Sequence, residues 1–250
     1  MTTEDSANTL PVKWDEELAR AATEVAATET PKLARFSFRS GIFAYQGVAI
    51  PGNKLECIIV GSAFQHRYYE GSFDVDKPAT PVCFALSLNG EDMTPHEASQ
   101  NKQSETCESC EQFKWGSALK DGKPSRGKAC KTGRRLILIP KSALTNGVQK
   151  AEMGMAEIPV TSVRGWANYV NALATQYRRP PWAMLTEISV VPDLKTQFQV
   201  KFEPMGLVQD EHLAAVRTKI AMAEQVLMAP YEFSENADPK EEGPKKARKF

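Results

Sequence analysis

The chain has 250 residues, 42% of them hydrophobic, with 31 basic and 31 acidic residues and a formal net charge of zero. That length suits one large domain or a domain carrying an insert. Zero net charge means that affinity for a polyanion would have to come from segregated charge. No apolar run approaches a membrane span, and the polar, acidic start MTTEDSANTL does not read as a signal peptide. Five cysteines, with one C-x-x-C pair among them, favour metal or redox chemistry in a reducing, cytoplasmic compartment over a disulfide framework.

Residues 1–30 read as a polar tail with a short helix over 13–28, on which Trp14, Leu18, Ala21, Ala22 and Val25 recur at helical spacing. From 31 to 88 the texture is that of strands. FSFRSGIFAYQGVAI alternates, KLECIIVGSAF and PVCFALSL are buried-strand runs, and glycines punctuate them as in sharply curved sheets. Residues 89–133 contain almost no aliphatic side chains and could not order themselves by apolar burial alone. Residues 134–230 resume the sheet with RRLILIP and MAEIPVT. A helix follows over 162–177, with Ser162 as its cap and Trp166, Val170 and Leu173 on one face. AMLTEISVVP and TQFQVKFEPMG predict a strand pair turning at Pro192-Asp193, and 209–228 predicts a last helix. Residues 231–250 read as a disordered tail, acidic first and basic last. The fold class this predicts is mainly β with α: an OB-like five-stranded Greek-key barrel, with an inserted zinc-binding subdomain at 89–133 and flanking helices.

The zinc expectation rests on Cys107-Glu-Ser-Cys110 followed by Cys130. A C-x-x-C turn aims two thiolates at one tetrahedral ion, and a third arriving from a distant loop closes the site. His96, in the same aliphatic-poor insert, is the candidate fourth ligand of a structural Zn²⁺. Cys83 is the runner-up, although its strand context reads as a buried free thiol, like that of Cys57. A C-x-x-C redox pair is disfavoured, because the βαβ context that such pairs use is missing.

The same segment is loaded with cations. Lys114, Lys120, Lys123, Arg126, Lys128, Lys131, Arg134 and Arg135 face only Asp121, a local excess of +7. Elsewhere, basic and aromatic residues interleave: Arg35 and Arg39 among Phe36, Phe38, Phe43 and Tyr45, Arg67 beside His66, Tyr68 and Tyr69, and Arg178 and Arg179 beside Tyr177 and Trp182. Trp115 stands inside the basic loop. Cations tracking phosphates, with rings stacking on bases, are what single-stranded nucleic acid requires. No helix carries a basic recognition face, which argues against sequence-specific reading of the major groove.

Pro81-Val82-Cys83-Phe84, Cys107-x-x-Cys110, Trp115-Gly116-Ser117, Gly127-Lys128-Ala129-Cys130 and Arg134-Arg135-Leu136 together resemble zinc-containing single-stranded DNA-binding proteins of tailed bacteriophages. The match spans about a quarter of the chain. The resemblance implies a zinc element set in an OB-fold, with Cys107, Cys110, Cys130 and His96 as ligands. It also implies non-catalytic coating of exposed DNA in replication, recombination or repair, within a host cytoplasm. DNA contact is expected from Arg35, Arg39, Arg67, Tyr68, Tyr69, Trp115, Lys120, Lys123, Arg126, Lys128, Lys131, Arg134 and Arg135. Replisome or recombination proteins would be recruited through the C-terminal tail, but the acidic ending usual for that purpose is replaced here by Lys245, Lys246, Arg248, Lys249 and Phe250. The rival readings are a zinc-ribbon adaptor for RNA polymerase or a replisome protein, and a zinc-dependent nucleic-acid enzyme. The second is weakened by a total of three histidines.

Overall fold

The structure is a computed structural model that describes residues 17–18, 34–70, 80–120 and 122–231. The chain divides into two units, 1–34 and 35–250. Within 1–33 only Glu17 and Leu18 are described, and both are helical. The rest of the expected 13–28 helix, the segment 71–79, Asp121 and the tail at 232–250 lie outside the described residues, and of Lys120 only the backbone is described.

The strands are β1 (Ala34–Ser37), β2 (Ala44–Tyr45), β3 (Val48–Ala49), β4 (Lys54–Tyr68), β5 (Cys83–Ser87), β6 (Leu119–Lys120), β7 (Lys123–Pro124), β8 (Lys131–Pro140) and β9 (Gly154–Ile158). Helix α1 (Val160–Ala172) leads through a π-helical turn (Leu173–Tyr177) to β10 (Met184–Asp193) and β11 (Gln197–Leu207), and α2 (Asp210–Leu227) follows. Among the described residues, nine strands form one curled sheet, a half-barrel, in the order β11-β10-β4-β8-β9-β1-β2-β3 with β5 also on β4. The expected five strands are therefore too few. The β6–β7 hairpin stands apart from this sheet. Among the described residues no helix is long and apolar enough to cross a membrane.

β4 is the spine. One edge pairs with β8 from Cys57 to Arg67, while the other is shared: β10 takes Lys54–Ile58 and β5 takes Phe64–Tyr68. A bulge between Ile59 and Gly61 bends the strand midway. Gly61 sits where α2 presses on the sheet. A Cβ there would lie 2.9 Å from Leu227 Cδ1 and 3.3 Å from the Ala223 Cβ, so the missing side chain sets how closely the helix approaches.

Strand alternation divides the sheet into two faces. The first carries Cys57, Ile59, Leu136, Leu138, Met184 and Ile188, and packs against Phe36, Phe38 and Phe43 and the α1 residues Trp166 and Tyr169. Its continuation along β4 and β8 is Ser62, Phe64 and His66 opposite Leu136, Arg134 and Thr132. The second face lies under α2 and carries Ala63, Gln65, Arg67, Arg135 and Ile137.

Both predicted late helices form, with local differences. Ser162 does not cap α1. It is buried, and its hydroxyl accepts the Val200 N–H at 2.9 Å, pinning the helix start to β11. The β10–β11 turn falls at 194–196, just past the expected Pro192-Asp193, because the Asp193 carboxylate accepts the N–H groups of Lys195 and Thr196.

Candidate metal centre and nucleic-acid interface

The segment between β5 and β8 forms a flap held chiefly by backbone hydrogen bonds and polar turns. Cys107 N–H donates to Met93 O at 2.9 Å, and Cys130 N–H donates to Gln112 O at 2.8 Å, fixing the two ends of the cysteine array. Cys83 is the first residue of β5, opposite Tyr68, and Cys130 immediately precedes β8. All four of Cys83, Cys107, Cys110 and Cys130 are buried and line one cavity of about 10 Å³ together with His66, Tyr68 and Phe113. A void of that size accepts a single atom or ion.

The thiols sense one another. Burial first, then the charges of Cys83 and Cys110, raise Cys107 to a pKa of about 11. Burial, then the charges of Cys107, Cys110 and Cys83, raise Cys130 to about 12, opposed by a backbone hydrogen bond from Arg67 that favours the thiolate. Among the described residues, no group of three or more His, Cys, Asp or Glu side chains stands in metal-ligand geometry. The four thiols line the same cavity. Desolvation and the neighbouring sulfurs both favour the neutral thiol over the thiolate, and a divalent cation reverses both effects. Four thiols around an ion-sized void fit the donor set of a structural zinc.

His96, the expected fourth ligand, is not among the residues that line this cavity. Its ring stacks on Phe84 at 4.8 Å, its backbone N–H donates to Phe84 O, and its Nδ1 accepts the Ala98 N–H at 3.1 Å. These contacts occupy its Nδ1 and one ring face. Cys57, by contrast, is the buried free thiol expected, and burial raises its pKa well above the ordinary range.

On the first face, next to the cavity, two cations stand over rings. The Arg134 guanidinium lies 3.4 Å above Phe64, its cross-strand partner. The Lys128 ammonium lies 3.5 Å above Phe113, whose ring in turn packs 4.2 Å from His66. Burial, then the charges of Lys128 and Arg134, lower the His66 pKa to about 4, so the imidazole is neutral and the two cations converge on it. Trp115 is 78% exposed, with Lys128 Nζ 5.3 Å from its ring. It projects from the flap instead of packing against it. Lys123, Arg126 and Lys131 are exposed nearby in sequence. Arg35 and Arg39 are exposed too, but they belong to the β1 region, two strands along from β8.

Arg67 and Arg135, both expected as nucleic-acid contacts, are engaged inside the protein. Both point to the second face. Arg135 is 1% exposed and donates through NH1 to Leu227 O at 3.0 Å and Ala229 O at 2.6 Å. Arg67 pairs with Glu157 at 2.6 Å. Tyr231 covers this cluster, donating toward Gln65 and Glu157, with the Arg135 guanidinium 4.5 Å over its ring. Tyr69 is tied to Arg67 by a hydrogen bond, and Tyr68 lines the cysteine cavity, so neither tyrosine is a free ring.

Phe64 and Phe113 were not among the expected site residues, and Cys83 was only the runner-up to His96. The signal for the first was the alternation Phe64, His66, Tyr68, which puts three rings on one side of a strand. Comparison with family models, characterised proteins and solved structures found no match.

Proposed function

We propose that this chain is a non-enzymatic, sequence-nonspecific single-stranded DNA-binding protein stapled by one structural Zn²⁺. The ion would be held by Cys83, Cys107, Cys110 and Cys130, and its role there is to supply the folding free energy that the aliphatic-poor flap lacks. The curled sheet is read as an OB-like barrel widened by extra strands, consistent with the resemblance to phage single-stranded DNA-binding proteins. The observation that carries the reading is the pair of cations raised over rings on one sheet face, beside an exposed tryptophan. Seated on a ring, Lys128 and Arg134 keep a fixed position that suits a phosphate backbone, and Trp115 offers a base a flat surface. Partner recruitment through the tail is part of the proposal, and that tail lies outside the described residues.

The test is fluorescence titration with oligo-dT beside matched duplex and RNA, on protein of measured zinc content. Single strands should quench the emission, and Trp115→Phe should abolish most of that quenching while keeping affinity within a few-fold. Trp115→Ala should weaken binding by about 1–3 kcal/mol, the worth of one stacked base. The logarithm of affinity should fall linearly with the logarithm of salt, at about −0.7 for each phosphate neutralised. Absence of oligo-dT binding at low ionic strength sinks the reading, and so does a flat salt response.

A further inference from the structure

Resting on that reading, we infer that the C-terminal turn of α1, Tyr177-Arg178-Arg179, forms the second bank of the strand-binding path, facing the flap across Phe64 and Arg134. The register places it. α1 starts where Ser162 meets Val200, and it runs along β11 past Phe202, whose ring lies 5.3 Å from Trp166 and 5.8 Å from Tyr169. Tyr169 then meets Thr186 at 2.5 Å, and Thr186 pairs with Cys57. The helix therefore advances toward the start of β10, where Leu185 pairs with Ile58.

From there β4 continues toward the flap through Phe64, where β5 ends at Ser87. Ile58 to Phe64 is six residues, about 20 Å of strand. α1 and its π-helical turn pack on the first face through Trp166, Tyr169 and Leu173, and the flap residues Phe113 and Lys128 meet that face at His66. Phe64 and Arg134 lie in the interval. The turn at the end of α1 thus stands on the same face as Arg134, on the side opposite the flap.

The turn itself is built for exposure. Residues 174–180 are all exposed, and Tyr177 retains 45% of its accessible surface. Among the described residues, neither Arg178 nor Arg179 meets a carboxylate. Arg178 closes the π-helical turn in the left-handed conformation, at φ 52° and ψ 42°, a position that glycine fits without strain. An arginine held there at a conformational cost, beside a second arginine and an exposed phenol, matches the cation-plus-ring chemistry of the other bank. Its ligand is the sugar-phosphate backbone of the same single strand.

The variant Arg178→Gly/Arg179→Gln tests this. The expected result is a Tm equal to or above that of the parent, since glycine relieves the left-handed position. Oligo-dT affinity should fall about tenfold, with a salt slope shallower by about 1.4, two phosphates' worth. Arg178→Lys/Arg179→Lys should restore most of the affinity. If the glycine variant binds oligo-dT as the parent does while Lys128→Gln/Arg134→Gln is weakened, this inference fails and the proposed function stands. A parent protein that does not bind oligo-dT at all overturns both.

Discussion

Cys83→Ser is expected to strip the purified protein of zinc, while His96→Ala is expected to keep one ion per chain. Cys83 lines the cavity with the other three thiols, and its charge contributes to the raised pKa of both Cys107 and Cys130. His96 spends its Nδ1 on Ala98 and its ring face on Phe84. Loss of a ligand should cost more than the roughly 10–100-fold that follows loss of an outer-shell partner. The measurement is metal content after dialysis against a competing chelator, with amide exchange as the structural readout. In Cys83→Ser the flap amides should exchange freely, while those of β8 from Leu136 onward stay protected by their pairing with β4 and β9. Because each ligating thiol must give up its proton, zinc affinity should fall as pH is lowered. The opposite pattern, zinc kept by Cys83→Ser and lost by His96→Ala, would falsify the four-thiol assignment.

Arg135→Met and Arg134→Ala, one residue apart, are expected to fail in opposite ways. Removing the Arg135 guanidinium takes the donor from the Leu227 and Ala229 carbonyls and takes one cation from beside the half-buried Glu157. Leaving both carbonyls without their charged donor costs about 3–5 kcal/mol in all, hydrogen bonds to charged groups being worth roughly 1.5–3 kcal/mol each. For a chain of this size that is a fall in Tm of roughly 6–20 °C. The cluster is already imperfect: among the described residues, the Nε atoms of Arg67 and Arg135 and the Nε2 of Gln65 have no hydrogen-bond partner. Methionine, which is apolar and of similar length, isolates the loss of charge from the loss of volume. The folded fraction of Arg135→Met should bind oligo-dT as the parent does.

Arg134→Ala should shift Tm little, because the side chain is half-exposed and, among the described residues, meets the Phe64 ring and the Gly133 carbonyl. Its affinity for oligo-dT should fall about tenfold, the loss of one charge-assisted contact of roughly 1.5 kcal/mol. Thermal unfolding and titration on both variants decide the matter. Unchanged stability in Arg135→Met, or unchanged binding in Arg134→Ala, would reverse the assignment of the two faces.

This pair also marks where sequence reasoning stopped. Arg134 and Arg135 look equivalent in a basic run. Period-two alternation says that they point to opposite faces, but not which face a helix covers. That depended on α2, some ninety residues later, packing at Gly61 and delivering two carbonyls to Arg135. The same holds for the fourth thiol. Cys83 sits in an apolar strand run, and such runs bury their side chains. Only the register of β5 on β4, with Cys83 opposite Tyr68, turns this buried thiol toward the C-x-x-C pair. His96 was nearer in sequence and chemically suitable, but its ring found Phe84 instead.

The sequence alone determined that strands dominate, that two amphipathic helices follow the insert, and that the insert cannot order itself by apolar burial. These are local properties, set by hydrophobic period, turn residues and composition. Tertiary structure alone decided which thiols share a cavity, which arginines are buried, and which face of the sheet each late helix covers. Those outcomes depend on pairings between residues far apart in the chain, where strand register and helix docking choose among options that the local pattern leaves equal.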